Sequence, residues 1–163
     1  MNYQVVNPEV PGSWSSDDID RTVWPPEFSS MSFEFADWLG DDLVTSFPIY
    51  LTSASLAERL TSAGIERVRF EPVAVTVDPQ RIELTGDLNL PPWTWMRIEV
   101  RAWSDPIWLD ARCRLVVRDD ALAVMRECVL RQARFEPAED VVELELPDDL
   151  RLPPEAHARR VPR

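Results

Sequence analysis

Few side chains in this sequence belong to types that carry out chemistry, and those few are poorly placed for it. The single histidine, His157, lies in a Pro- and Arg-containing tail, where a general base would lack a rigid platform. Cys113 and Cys128, the only cysteines, have no histidines at ligand spacing and make no zinc site. The four glycines, Gly12, Gly40, Gly64 and Gly86, are scattered, so no phosphate-cradling loop is present. Ser53 and Ser55 have no base nearby in sequence and read as helix-start residues. Adjacent carboxylates are plentiful: Asp17-Asp18, Asp41-Asp42, Asp119-Asp120 and Asp148-Asp149. Two acids can serve as acid and base, and Asp41-Asp42 could approach a magnesium ion, but neighbours in sequence read first as solvated turns or caps. No catalytic residue, metal site or cofactor is assigned.

Carboxylates beside aromatic residues have a second use, which is to grip a basic partner. Aromatic rings supply desolvated anchors, and carboxylates pair with Arg or Lys. Trp14 with Asp17, Asp18 and Asp20 fits this description, as does the run Ala36-Asp37-Trp38-Leu39-Gly40-Asp41-Asp42-Leu43. In that run Trp38, Asp41 and Asp42 are the candidate contacts. The alternative is that Trp38 and Leu39 belong to the core and the aspartates cap the next turn. Charge distribution leaves both readings open, since acidic flanks serve solubility as well as contact. The net charge is −12, and the 51–135 stretch is balanced, so the excess sits on the two flanks. Such a field repels nucleic acid and attracts a basic protein surface.

These residues must be held by a fold. At 163 residues with 45% apolar side chains and 7 Trp, the chain supports one domain with a sizeable core. No apolar run reaches the ~18 residues a membrane span needs, and the N-terminus has no secretory pattern. Two reduced, packed thiols are expected, which suits the cytoplasm. There is no lysine at all, a bias of codons rather than of function.

Residues 1–32, rich in Pro, Ser and Asp, are expected to form an extended arm that opens with a strand at Tyr3–Val6 and is pinned by Trp14 and Trp24. Residues 33–150 form the core and 151–163 a tail. Within the core a degenerate repeat runs from Phe47 to Pro72 and again from Cys113 to Pro137. Each copy reads strand–helix–strand and ends in Phe-Glu-Pro, 65 residues apart, with Leu56-Ala57 set against Leu122-Ala123 across a one-residue gap. Ser55 and Glu58 have capping-box spacing in the first helix, and Asp119 or Asp120 caps the second. The fold class is therefore α+β: a single domain whose mixed or antiparallel sheet carries two packed helices from two such units. Val73, Val75 and Val77 alternate as a strand, with Arg81–Leu84 and Ile107–Leu109 as weaker candidates. A last strand, Val141–Leu146, turns Glu143 and Glu145 outward as a purely acidic face and adds both to the candidate contacts.

The sequence also resembles a group of bacterial immunity proteins of polymorphic toxin systems. The likeness rests on Trp38-Leu39-Gly40-Asp41-Asp42-Leu43, Ser46-Phe47-Pro48, Leu56-Ala57 with Leu60, Ala63-Gly64-Ile65, Val68 with Phe70, Pro72 and Val73, and Arg114–Val117 leading to Ala121-Leu122. It covers roughly residues 36–137. The resemblance implies a cytoplasmic antitoxin that binds and blocks the toxin of its own system, with no catalysis and no cofactor. The acidic flanks suit a basic toxin, such as a nuclease. The alternative is a non-catalytic structural or adaptor subunit of a larger assembly. Oligomeric state is not fixed by either reading.

Overall fold

The computed structural model describes residues 2–23, 26–98 and 105–141. Strands β1 (Tyr3–Asn7), β2 (Gly12–Ser15) and β3 (Ser32–Phe35) precede a hairpin of β4 (Leu43–Ser46) and β5 (Ile49–Ser53). Helix α1 (Ala54–Ser62) leads to β6 (Val68–Pro72), β7 (Ala74–Val77), helix α2 (Pro79–Thr85) and β8 (Trp93–Ile98). The described part ends with β9 (Ile107–Leu109), β10 (Leu115–Arg118), helix α3 (Asp119–Met125) and β11 (Arg134–Pro137). The class is α+β, with the strands divided over three sheets: β4-β5-β8-β6, β9-β10-β1-β11 and β2-β3-β7.

Local chemistry explains the helix boundaries. Ser53, in extended backbone, turns its hydroxyl over the first turn of α1 and accepts the Leu56 N–H at 3.2 Å. The cap is therefore Ser53, and Ser55 with Glu58 lies inside the helix rather than boxing its start. Helix α2 replaces the weak strand expected at Arg81–Leu84. Asp78 caps it by accepting the Gln80 N–H, and Pro79 opens it, where a missing N–H costs nothing. In α3 the capping position falls on Arg118 with no side-chain cap; Asp119 and Asp120 sit in the first turn, at the positive end of the helix dipole. Arg118 grips Asp120 at 2.7 and 2.9 Å, which holds its own guanidinium charged and the carboxyl below the usual range.

The repeat is real in three dimensions and runs without a gap. In each unit two parallel strands joined by a helix straddle a third, antiparallel strand: β5 and β6 flank β8, and β10 and β11 flank β1. An outer hairpin strand, β4 or β9, completes each sheet. Buried Leu56, Ala57 and Leu60 of α1 stand 65 residues before buried Ala121, Leu122 and Met125 of α3, the offset of Phe70 from Phe135. Leu56-Ala57 thus corresponds to Ala121-Leu122, and the one-residue gap expected from the sequence is unnecessary.

Both helices and the inner faces of both four-stranded sheets share one core. Leu43, Tyr50 and Met96 of the first sheet meet Val6, Ile107, Leu115 and Val117 of the second around Leu56, Leu60, Leu122 and Met125. Tyr50 donates its hydroxyl to the Cys113 carbonyl at 2.8 Å across this core. The far face of β4-β5-β8-β6 carries Val44, Leu51, Trp93 and Trp95, which pack on Phe33 and Phe35 of β2-β3-β7. Aromatic rings dominate that layer: Phe28 stacks between Trp14 at 4.8 Å and Trp95 at 5.2 Å. Trp14 is pinned as expected, its indole N–H donating to the Phe47 carbonyl at 2.8 Å. Trp24 lies outside the described residues. The segment expected as an arm over the core does more than cover it. Strand β1 fills the middle of a sheet, and β2 pairs with β3. Both cysteines are free thiols; burial pushes that of Cys113 up to about 12, so it is inert.

Candidate functional site

The expected contact residues scatter, and several are consumed inside the fold. Asp41 is fully buried. One carboxylate oxygen accepts the Arg131 N–H at 2.8 Å, and the other accepts those of Gln132 and Ala133 at 2.8 and 3.1 Å. Asp42 accepts the Val129 N–H at 2.7 Å, and its own N–H donates to the Val129 carbonyl. The two aspartates therefore form a clip between the β3–β4 loop of one unit and the α3–β11 loop of the other. Asp41 is thereby withdrawn from the surface, while Asp42 stays half-exposed. Trp38 is partly buried too: its indole N–H donates to the Asp41 carbonyl at 2.9 Å, and its ring meets Trp93 edge-on. The Trp-Leu-Gly-Asp-Asp run is thus largely a structural clasp, with Gly40 supplying a φ of +108°.

Near the N-terminus, Asp17, Asp18 and Asp20 are exposed, but two of the three have local duties. Asp18 accepts from the Ser16 and Ser29 hydroxyls and the Ser29 N–H, which holds its carboxyl well below the usual range. Asp20 accepts the Thr22 N–H and hydroxyl and is lowered for the same reason. These turns organise residues 16–30 and leave Asp17 as the exposed acid without such a role in the turn. Glu143 and Glu145 lie outside the described residues, as does the strand expected beyond Val141.

An open cleft of about 540 Å³ lies where the strands of the three-stranded sheet converge. Strands β3 and β7 run parallel and both end there, while β2, antiparallel to β3, begins there. The close approach requires Gly12, because a Cβ at that position would meet the Glu34 carbonyl oxygen at 1.9 Å. Glu9, Glu34, Asp37 and Asp78 line the cleft, and no basic side chain does. Val10 and Leu39 belong to the same wall and are 67% and 63% exposed. Arg81 of α2 approaches Asp37 from outside at 3.8 Å.

Glu9 is the strained member of this set. One carboxylate oxygen accepts the Leu39 N–H at 2.6 Å; the other is buried and has no hydrogen-bond partner among the described residues. Burial raises its pKa against the Leu39 hydrogen bond, and the nearby Asp41 and Asp37 push it the same way. A cation brought into the cleft would relieve both penalties. Asp78, by contrast, is partly occupied as the cap of α2.

Within the run 36–43, Asp37 and Leu39 face the cleft, Asp41 is buried, and Trp38 and Asp42 are half-buried. Glu9, Glu34 and Asp78 were missed because they come from three separate elements. The Asp78-Pro79 pair, a helix start in sequence, could have located one of them. Among the described residues no three His, Cys, Asp or Glu side chains are grouped so as to hold a metal ion, and no helix is long and apolar enough to cross a membrane. Compared with known proteins, the chain matches no family model and no curated protein.

Proposed function

We propose that this chain is a non-catalytic binding protein that seats on a basic protein surface and blocks it, acting in the cytoplasm as the antitoxin of a bacterial toxin system. The observation that carries the reading is the cleft itself. Four carboxylates, one of them (Asp37) approached by Arg81, beside two exposed aliphatic side chains make a net acidic surface suited to an Arg- or Lys-bearing partner. A toxin that acts on a polyanion such as nucleic acid presents that kind of surface. Covering it would block substrate by competing for the same cationic groups. The net charge of −12 adds long-range attraction. The resemblance of residues 36–137 to immunity proteins supports the biological role, and because Asp41 and Asp42 are engaged in the clasp, the reading puts the contact on the side chains that line the cleft.

The test is a titration against the purified product of the adjacent reading frame. The reading predicts a stoichiometric complex that suppresses the activity of that product. Full activity in the presence of excess chain, with no complex in sedimentation, would refute it.

A further inference from the structure

We propose that this chain is a permuted tandem duplication, in which β1 is the displaced last strand of the second unit and occupies a strand-binding seat between β10 and β11. The inference goes beyond the binding role and rests on correspondences that are independent of one another. Registers agree: Leu51 faces Trp95 and Ser53 faces Trp93 in the first unit, as Val116 faces Val5 and Arg118 faces Tyr3 in the second. On the other flank Phe70 faces Met96 and Phe135 faces Val6.

Hydrogen bonds outside the sheets agree as well. The first residue of each helix donates its N–H to the carbonyl just before the central strand, Ala54 to Pro92 at 2.9 Å and Asp119 to Asn2 at 3.1 Å. The residue before each helix donates to the carbonyl preceding the hairpin strand, Ser53 to Asp42 and Arg118 to Pro106, both at 2.8 Å. The loops are exchanged between units. Asp41, two residues before β4, holds the amides of 131–133, and Asp105, two residues before β9, approaches Arg67 at 4.0 Å. Residues 66–68 occupy in the first unit the place of 131–133 in the second.

The main break in the correspondence is connectivity. In the first unit the chain leaves Pro72, passes through β7 and α2, and returns as β8. In the second, nothing between Pro137 and the end of the described residues returns through the sheet, and the seat is taken by the front of the chain. Gln4 is the register partner of Pro137, so a tight turn could join β11 directly to β1 as an antiparallel hairpin. The seat selects its strand by shape: Val6 enters the shared helical core, and Val5, on the opposite face, is buried as well.

The experiment keeps every residue of the described fold. Residues 3–7 are moved to follow Pro137 through a short turn, with a Gly/Ser linker back to Ala138, at two linker lengths. The expected result is a cooperatively folding protein with a melting temperature within about 10 °C of the parent and protected amides in β10 and β11. In parallel, the unpermuted chain carries a protease site between Asn7 and Gly12 and is cut after folding. The severed strand is expected to stay bound until denaturation and to exchange with a labelled peptide of its own sequence but not with a scrambled one. Loss of the fold at both linker lengths, or release of the severed strand under native conditions, overturns the proposal.

Discussion

In the first unit, residues 73–92 between β6 and β8 build β7 and α2, and β7 joins β2 and β3 to form a third sheet over the outer face of the unit. The second unit repeats the strands, the helix and the register without those additions. The candidate cleft lies at the end of that third sheet, between Asp78 of the additions and the segments 9–13 and 34–39. On the proposed reading, the shared frame supplies stability and the partner is met at one copy of it. Substitutions in equivalent frame positions should therefore cost the same in both units, whereas substitutions in the additions should spare stability and change binding.

The largest effect is expected at the clasp between units. Asp41→Ala leaves three partly buried backbone N–H groups without their acceptor and should destabilise by about 3 kcal/mol, while Asp42→Ala, which frees one, should cost about 1 kcal/mol. Chemical denaturation of the two variants checks the ratio. Similar losses would remove the distinction between a buried clip and a half-exposed one.

Next come the helix faces. Leu60→Ala and Met125→Ala occupy the same place in α1 and α3, both fully buried, and each should cost about 3 kcal/mol. Values more than about 2 kcal/mol apart would weaken the equivalence of the units, since the spread within one substitution type is already of that order. A smaller difference tests where the units diverge. Ser53→Ala should cost about 1 kcal/mol by removing the cap of α1, a loss with no counterpart at Arg118, which makes no side-chain cap.

Glu9 gives a pH-dependent contrast. Its folded-state pKa lies above its ordinary value, so the protonated form is favoured by folding and that contribution is lost as pH rises through the raised pKa. Glu9→Gln keeps an acceptor for the Leu39 N–H and removes the charge. The variant should be more stable than the parent at neutral pH, indistinguishable near pH 4, and weaker in binding a basic partner. Thermal melts across that range, paired with titrations, separate the two effects; a variant less stable at neutral pH would contradict the burial argument.

Much of the frame was legible in the sequence because its signals are local. Phe-Glu-Pro recurs with the helices between, and buried positions follow the helical period in both copies. The pairing of β1 with β10 and β11 was not legible, because nothing near Tyr3–Asn7 specifies partners more than a hundred residues away. Arg81–Leu84 misled because four residues of alternating character fit a strand and a helical turn alike. At Asp41-Asp42 the reading failed for a physical reason. Adjacent carboxylates usually seek water, and the amides that replace water here come from a loop ninety residues on. The cleft shared that difficulty, since Glu9, Glu34 and Asp78 converge only once the three-stranded sheet is assembled.

The most direct test compares two double charge reversals that change net charge equally. Glu34→Arg with Asp37→Arg alters the cleft; Glu58→Arg with Glu66→Arg alters exposed positions on and after α1, the helix packed on the other face of the central sheet. Association with the product of the adjacent reading frame is followed by stopped flow at low salt. The cleft pair should slow association about tenfold or more and the control pair less than about threefold. Equal slowing by both pairs would mean that overall charge, and not this cleft, meets the partner.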